Sequence, residues 1–275
     1  EIHTYRYEMA GIDYAFANTE VKLLDSTLVE IVTETGLIGY GETCPVGTTY
    51  QPEHPLGARA AITEMAPHLL GSDATLIETV RRRMDASLNG HNYAKAAIDM
   101  ALWDLLGKHR SSRVCDLLGG AIRERVPSYY AFNVGDAASV AEMVREKQDQ
   151  GFIRLQLKVG GRDIEEDIEI VHRVFEVRKP GVKIVLDANR SWNVRDAIQL
   201  SNSCAGMNFV MEQPCATYDE VKSLRPLVRH PIYLDEITTD LNMIMRSIYD
   251  GVADGFVDGF TDGVADRLAG CMTDG

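Results

Sequence analysis

The sequence predicts an α/β protein in which a (β/α)8-type barrel follows a smaller α+β domain. Two patterns predict this fold class, and they meet near Val126. After this residue, short apolar runs typical of strands alternate with helix-periodic polar runs, as in a chain of βα units. Before it, a strand-like hairpin leads into three helical patterns. We therefore expect an α+β domain over residues 1–125 and a barrel domain over residues 126–275.

The α+β domain begins with the predicted hairpin. Residues 26–33 alternate apolar and polar side chains, Thr35-Gly36 provides a turn, and residues 37–42 follow as the partner strand. Helices are predicted over residues 58–70, 76–88 and 94–106. Because glycine is common just past the end of a helix, we expect Gly107 to stop the last one.

The barrel domain is predicted from strand-like and helical segments in strict alternation. The strand-like segments are 126–134, 152–159, 182–188, 207–212 and 231–236. The helical segments are 137–150, 164–178, 194–204, 218–228 and 241–249. Such repetition indicates a parallel sheet, with a (β/α)8 barrel as the expected closure and an open doubly wound sheet as the alternative. No G-x-G-x-x-G motif follows any of these strands, which argues against a dinucleotide site.

Composition narrows the class of partner. The formal net charge of -13 argues against nucleic acid or an anionic membrane surface. With 45% hydrophobic and 25% charged residues, the chain can bury a core, and no apolar run approaches the roughly 20 residues that span a bilayer. The five cysteines form no C-x-x-C pair, a pattern typical of reduced thiols. We expect a cytoplasmic protein.

A lysine and three carboxylates stand at the ends of four successive strand-like segments. They are Lys158, Asp187, Glu212 and Asp235. Because the carboxyl ends of barrel strands surround one mouth, we expect these side chains to converge. Three carboxylates form an all-oxygen site that suits Mg²⁺, and Lys158 would face the ion across a substrate. Taken singly, each residue is more typical of a helix cap or a surface ion pair, so the prediction depends on their joint position.

This arrangement suits one kind of chemistry. A proton α to a carboxylate is weakly acidic, because its removal adds a second negative charge to an anion. A metal ion on the carboxylate oxygens stabilises the developing enediolate, and a lysine held nearby can act as the base. The sequence therefore predicts magnesium-assisted abstraction of an α-proton from a small carboxylate substrate.

At these residues the sequence resembles the enolase superfamily, in its muconate-lactonizing-enzyme-like branch. The barrel motifs that carry the resemblance are Lys158-Val159-Gly160, Asp187-Ala188-Asn189, Glu212-Gln213-Pro214 and Asp235-Glu236. Residues 36–42 and 94–107 resemble the N-terminal capping domain of that family. The resemblance implies Asp187, Glu212 and Asp235 as Mg²⁺ ligands and Lys158 as one of two opposed bases. It also implies a homo-oligomer.

A closer likeness concerns the substrate. Residues 44–52 resemble family members that act on proline derivatives, namely hydroxyproline-betaine epimerases and cis-3-hydroxy-L-proline dehydratases. We expect Tyr50 and the loop residues Tyr14 and Phe16 to cover the substrate, since aromatic faces suit a quaternary ammonium group. Packing inside the domain is the ordinary alternative for these aromatic residues. Three polar residues complete the expected substrate contacts: Gln156, Asn189 and Glu236.

The sequence departs from the family pattern in two places. Gln156 stands where the family often has a second lysine, and the opposing lysine is expected near Gly259, whereas the last lysine of the chain is Lys222. We also expect the barrel domain to be incomplete or unreliable after about residue 257, because strands seven and eight are not recognised. Three functions stay open. The favoured one is a racemase or epimerase of a proline derivative such as hydroxyproline betaine. The others are a cis-3-hydroxyproline dehydratase and an inactive metal- or metabolite-binding module.

Overall fold

The computed structural model of the protein describes residues 1–16 and 19–257, and for residues 9–16, 19 and 20 it describes the backbone alone. The chain divides into two compact units, with the main boundary between Val126 and Pro127. The position predicted for an opposing lysine, near Gly259, lies outside the described residues, as does the rest of the sequence after residue 257.

The first unit combines a three-stranded sheet with four helices. Its strands are β1 (Ile2–Phe16), β2 (Thr19–Val32) and β3 (Ile38–Thr43), and they lie in the order β1-β2-β3. Its helices are α1 (Pro55–Leu69), α2 (Ile77–Ser87), α3 (Asn92–Arg110) and α4 (Val114–Leu117). Strands β2 and β3 pair antiparallel. The predicted hairpin and the three predicted helices are therefore confirmed.

Two local predictions in this unit are wrong. Tyr14 and Phe16 were expected in a loop, but they lie in β1, a strand that borders β2. Gly107 was expected to stop a helix, but α3 continues to Arg110 and ends at Ser111, whose φ is 50°. Gly107 is buried, and a Cβ there would lie 3.0 Å from the carbonyl oxygen of Ser112. The glycine therefore serves close packing of the chain and does not end the helix.

Helix α3 packs directly on β3, and glycine makes this approach possible. A Cβ on Gly41 would lie 1.9 Å from the carbonyl oxygen of Ala97, and a Cβ on Gly39 would lie 2.2 Å from that of Ala101. Real Cβ atoms do not come so close to backbone oxygens, so both positions require glycine. The core of the unit lies between this sheet and the helices, with Ile98 fully buried in it.

The second unit contains a six-stranded parallel sheet. Its strands are β4 (Tyr130–Phe132), β5 (Arg154–Lys158), β6 (Lys183–Asp187), β7 (Phe209–Glu212), β8 (Ile232–Leu234) and β9 (Gly255–Phe256). The helices between them are α5 (Ala137–Asp149), α6 (Ile164–Val177), α7 (Val194–Ser203), α8 (Tyr218–Leu224) and α9 (Leu241–Tyr249), with a 3-10 turn at Arg225–Leu227. The predicted α/β class with barrel-type alternation is thus confirmed.

Strand order decides between the two sheet architectures. Each strand pairs in parallel with the next strand along the chain, from β4 to β9. A doubly wound sheet reverses its order at a switch point, whereas a barrel adds strands in sequence. The alternative of a doubly wound sheet is therefore wrong.

Among the described residues, no helix is both long and apolar enough to cross a bilayer.

Candidate active site

The predicted site residues stand side by side at the carboxyl ends of β5 to β8. Lys158 is opposite Asp187 in the register of β5 and β6, and Asp187 is opposite Glu212 in that of β6 and β7. Asp235 follows directly after β8, with Glu236 next to it. Lys158, Asp187 and Glu212 are all buried. Parallel pairing thus assembles one group of charges from four separate segments of sequence.

The amide of Gln156 connects two of the predicted metal ligands. Its Nε2 donates to Asp187 Oδ2 at 3.0 Å and to Glu212 Oε1 at 2.8 Å. Lys158 Nζ also donates to Asp187 Oδ2. The side chains of Asp187 and Glu212 are therefore held by an amide and an ammonium group. The role of Gln156 as a substrate contact stays a prediction.

Asn189 joins the centre of the cluster to Glu236. Its backbone N–H donates to Asp187 Oδ1 at 3.0 Å, and its Nδ2 lies 3.2 Å from both Asp187 Oδ2 and Glu236 Oε1. Arg190 Nε lies 3.8 Å from Glu236 Oε1. The buried Oδ1 of Asn189 has no hydrogen-bond partner among the described residues. Buried oxygens are normally satisfied, so this atom is available as an acceptor for a further group.

Negative charge exceeds positive charge around Glu212. Burial raises the pKa of Glu212 to about 9, and the charges of Asp187 and Asp235 add to this effect. Lys158 and a hydrogen bond from Gln156 oppose it without cancelling it. A further cation in the cluster would favour the ionised carboxylate and lower the pKa of Glu212 again.

These residues fit a hard divalent cation by their chemistry. Carboxylate oxygens from three neighbouring strands are the ligands that Mg²⁺ prefers, and a cation would offset the charges that raise the pKa of Glu212. Within residues 1–16 and 19–257, however, no three His, Cys, Asp or Glu side chains are already drawn together as a metal site. The contacts of Asp187 and Glu212 with Gln156 and Lys158 explain this, because these donors hold oxygens that a cation would use.

The backbone is strained next to the cluster. Asn189, Arg190 and Gln213 adopt left-handed conformations, with φ of 42°, 69° and 36°. Such conformations cost about 1–3 kcal/mol each for ordinary residues and concentrate at functional sites. The strain here turns the chain sharply just after Asp187 and Glu212.

Two residues that organise these strand ends were not singled out from the sequence. Gln213 is fully buried: its Oε1 accepts from the backbone N–H of Asp235 at 2.9 Å, and its Nε2 donates to the carbonyl of Cys215 at 3.0 Å. Asp167 is also fully buried, on α6. A signal for Asp167 exists, because it follows Ile164 by three residues and precedes Val171 by four, and so falls on the apolar stripe of its helix.

The predicted aromatic contacts belong to N-terminal segments of the chain. Tyr50 is half-buried in the segment between β3 and α1 of the first unit. Tyr14 and Phe16 belong to β1, and their side chains are outside the part of the chain that the structure describes. Their role as substrate contacts stays a prediction.

Two family models match the chain. The mandelate racemase/muconate lactonizing enzyme N-terminal domain matches residues 8–119, and the enolase C-terminal domain-like model matches residues 139–257. The cis-3-hydroxy-L-proline dehydratase of Roseibium aggregatum is 40% identical over 236 residues, which are 86% of this chain and 64% of that enzyme. The chain therefore spans less than two thirds of that relative.

Solved structures agree with the family models. A mandelate racemase/muconate lactonizing enzyme of Roseovarius nubinhibens complexed with magnesium is 32% identical, with a TM-score of 0.87 over 93% of this chain and 70% of that one. A dipeptide epimerase of Enterococcus faecalis, complexed with Mg and the dipeptide L-Leu-L-Tyr, is 28% identical, with a TM-score of 0.86 over 93% and 72%.

Proposed function

Because this chain belongs to the mandelate racemase/muconate lactonizing enzyme family of the enolase superfamily, we propose that it is a magnesium-dependent enzyme that removes the proton α to a carboxylate. One observation supports this most directly. Lys158, the candidate base, contacts Asp187 in a buried cluster that also contains Glu212 and has more negative than positive charge.

Asp187, Glu212 and Asp235 would hold the Mg²⁺ ion. When bound, the ion would stabilise the negative charge that develops on the substrate carboxylate. Gln156 and Asn189 keep the Asp187 and Glu212 side chains oriented through the hydrogen bonds described above. Such support of a ligand by neighbouring groups is general in metal sites.

Lys158 would accept the α-proton at Nζ. It lies at the last position of β5, so its main chain is fixed by pairing with β6, and only the side chain has to reach the substrate. A base on a strand end is held more precisely than one on a mobile loop, which favours proton transfer in a fixed direction.

We further propose that the substrate is a proline derivative and that the reaction is dehydration of a 3-hydroxyproline. The dehydratase of Roseibium aggregatum supports this reaction. The α C–H bond would break with its proton going to Lys158, and the bond from C3 to the hydroxyl oxygen would break with loss of water as a separate acid donates a proton to that oxygen. The enamine that is left tautomerises to a cyclic imine. One base is enough for these steps.

Epimerisation of a proline betaine is the second candidate. The likeness to epimerases and racemases supports it, among them the hydrophobic dipeptide epimerase of Enterococcus faecalis, which is 31% identical over 241 residues. Tyr50, Tyr14 and Phe16 are proposed as substrate contacts on sequence grounds. This reaction needs a second base on the opposite face of the α-carbon.

Proton NMR in D2O tests the proposal. We expect cis-3-hydroxy-L-proline to be converted to an imine, or proline betaine to lose its α-proton signal without a new product, only with Mg²⁺ present. EDTA should stop the reaction. Lys158→Met should lower the rate by at least about 100-fold, because a positioned base contributes roughly that much or more. The exposed Lys179→Met variant, which loses a surface ion pair with Asp149, should keep the wild-type rate.

Two results would count against the proposal. Equal rates for Lys158→Met and wild type would remove Lys158 as the base. Calorimetric binding of Mg²⁺ without α-proton exchange on any proline derivative would favour a metal-binding module without turnover.

A further inference from the structure

A further buried carboxylate, outside the cluster, lies on α6. Asp167 Oδ2 accepts from the backbone N–H of Gly160 at 2.8 Å and from Trp192 Nε1 at 2.9 Å. Gly160 belongs to the loop that follows β5, and Trp192 to the loop that follows β6. One carboxylate oxygen thus binds two loops that come from different strands.

A half-buried cation accompanies this carboxylate. Arg162 Nε lies 3.1 Å from Asp167 Oδ1, and Arg162 Nη1 donates to the carbonyl of Gly135 at 2.7 Å. Transferring a carboxylate and an arginine from water into a protein costs free energy. Hydrophobic residues of similar size often stabilise a fold equally well. Stability alone therefore does not explain why Asp167 and Arg162 are paired here.

The two loops that Asp167 binds are those next to the proposed base and a proposed metal ligand. Gly160 is two residues beyond Lys158, and the N–H of Val159 donates to the carbonyl of Asp187 at 3.0 Å. Gly160 has a φ of 85°, and a Cβ on it would lie 1.7 Å from Ser191 Oγ, so the loops are in direct contact.

Trp192 extends the connection to a third strand. Its indole is buried, its backbone N–H donates to the carbonyl of Pro214 at 3.1 Å, and it forms a β-bridge with Cys215. Pro214 is two residues beyond Glu212. The hydrogen bonds of Asp167 therefore reach, directly or through Trp192, the loops after β5, β6 and β7.

We propose that Asp167 is a positioning residue, which fixes Lys158 relative to Asp187 by holding the loops after β5 and β6 together through Gly160 and Trp192. It touches neither the proposed metal ligands nor the substrate. The effect on rate rests on the proposed function, whereas the effect on the loops does not.

Asp167→Ala in the full chain tests this inference, because it removes the oxygen that accepts from both loops, and Glu166→Ala is the control. The control removes one negative charge from the same helical turn, but at an exposed side chain. We expect Asp167→Ala to lower kcat about 10- to 100-fold with KM and the Mg²⁺ dissociation constant changed less than about threefold, because a misplaced base slows the proton transfer more than it weakens binding. Glu166→Ala should match wild type.

Amide hydrogen exchange supplies a readout that needs no activity. Peptides that cover residues 155–163 and 187–193 should exchange about tenfold faster in Asp167→Ala, while peptides of the first unit should not change. If this variant does not fold, Trp192→Phe provides the same test, since it removes one of the two donors and keeps an aromatic ring. Its effect should have the same direction and be smaller.

Each outcome decides between clear alternatives. Unchanged exchange in both peptides would overturn the inference. Faster exchange with wild-type kcat, or a loss confined to KM, would make Asp167 merely structural and would also overturn it. If the wild-type protein shows no α-proton exchange, the proposed function fails, and the amide exchange alone decides whether Asp167 holds the loops.

Discussion

At Gln213 the backbone is left-handed, with φ of 36°, and both polar atoms of the side chain are used inside the protein. The carbonyl oxygen accepts from the N–H of Asp235 and the amide nitrogen donates to Cys215. An amide accepts on one side and donates on the other, which an ionised carboxylate of the same shape cannot do. The residue therefore fixes where the chain leaves β8 and, with it, the position of Asp235.

Gln213→Glu should be strongly destabilising, although it changes the shape of the side chain very little. The new carboxylate would place a buried oxygen against the carbonyl of Cys215 and add negative charge beside Glu212. We expect the free energy of unfolding in urea to fall by about 3 kcal/mol or more, since unsatisfied buried charges cost at least that much.

The exposed Gln150→Glu variant is the matched control. It loses a surface hydrogen bond to Glu146, so it should lower the free energy of unfolding by no more than about 1 kcal/mol. Similar unfolding midpoints for the two variants would show that Gln213 does not hold Asp235 through its amide.

At the scale of single residues, the charged groups could be predicted from the sequence, whereas the side chains that hold them in place could not. Asp187, Glu212 and Asp235 could be predicted to meet because the ends of parallel strands share one edge. The position of the Gln156 amide between two carboxylates could not be predicted, since it depends on how the side chains of three strands fit together. Asp167 left only the weak signal of a charge on an apolar stripe.

Among the elements, α3 packs closely on β3 because the strand has glycine at positions 39 and 41. Gly41→Ala should destabilise the protein by about 3 kcal/mol, because the new methyl group would overlap the carbonyl oxygen of Ala97 and push the helix away from the strand. Thermal unfolding followed by circular dichroism measures this loss.

Gly206→Ala is the control for the Gly41 substitution. Gly206 is exposed, a Cβ there meets nothing within 4 Å, and its φ is not left-handed. The variant should unfold within about 0.5 kcal/mol of wild type. Equal stability of the two alanine variants would mean that α3 can shift without cost.

Helices were predicted better than the first strand and the end of α3. Periodicity identified α1, α2 and α3 because each has a clear apolar face. It did not identify β1, which lies beside β2 and is separated from it by only two residues of sequence. The helix end at Ser111 was missed because tertiary packing around Gly107 overrides the preference of glycine for helix ends.

For the molecule as a whole, acid stability depends in part on one buried histidine in the second unit. His230 stacks on Phe209 at 3.9 Å between ring centroids, with Nδ1 2.8 Å from Ser201 Oγ and Nε2 2.9 Å from the carbonyl of Met207. A neutral ring satisfies both contacts. Burial lowers the pKa of His230 below its usual 6.5, despite the opposing effect of the Met207 carbonyl.

The sign of the pH effect follows from this direction. The unfolded chain takes up a proton on His230 at a higher pH than the folded chain does, so the contribution of the neutral ring is present above pH 6.5 and is lost as the pH falls below it. We expect the free energy of unfolding to fall more steeply from pH 7.5 to pH 5 in wild type than in His230→Gln.

Urea unfolding at several pH values measures these slopes. His172→Gln, at an exposed position on α6, should keep the wild-type slope. Parallel curves for wild type and His230→Gln would show that this ring does not contribute to acid sensitivity.

Because each strand of the second unit pairs with the strand that precedes it in the sequence, the sheet can grow in the order in which the ribosome releases it. Lys158 and Asp187, which meet in the finished site, are separated by only 29 positions. Short separations of this kind keep the entropy of loop closure low and favour rapid assembly. The base would emerge first, and each carboxylate would join it as one more βα unit left the exit tunnel.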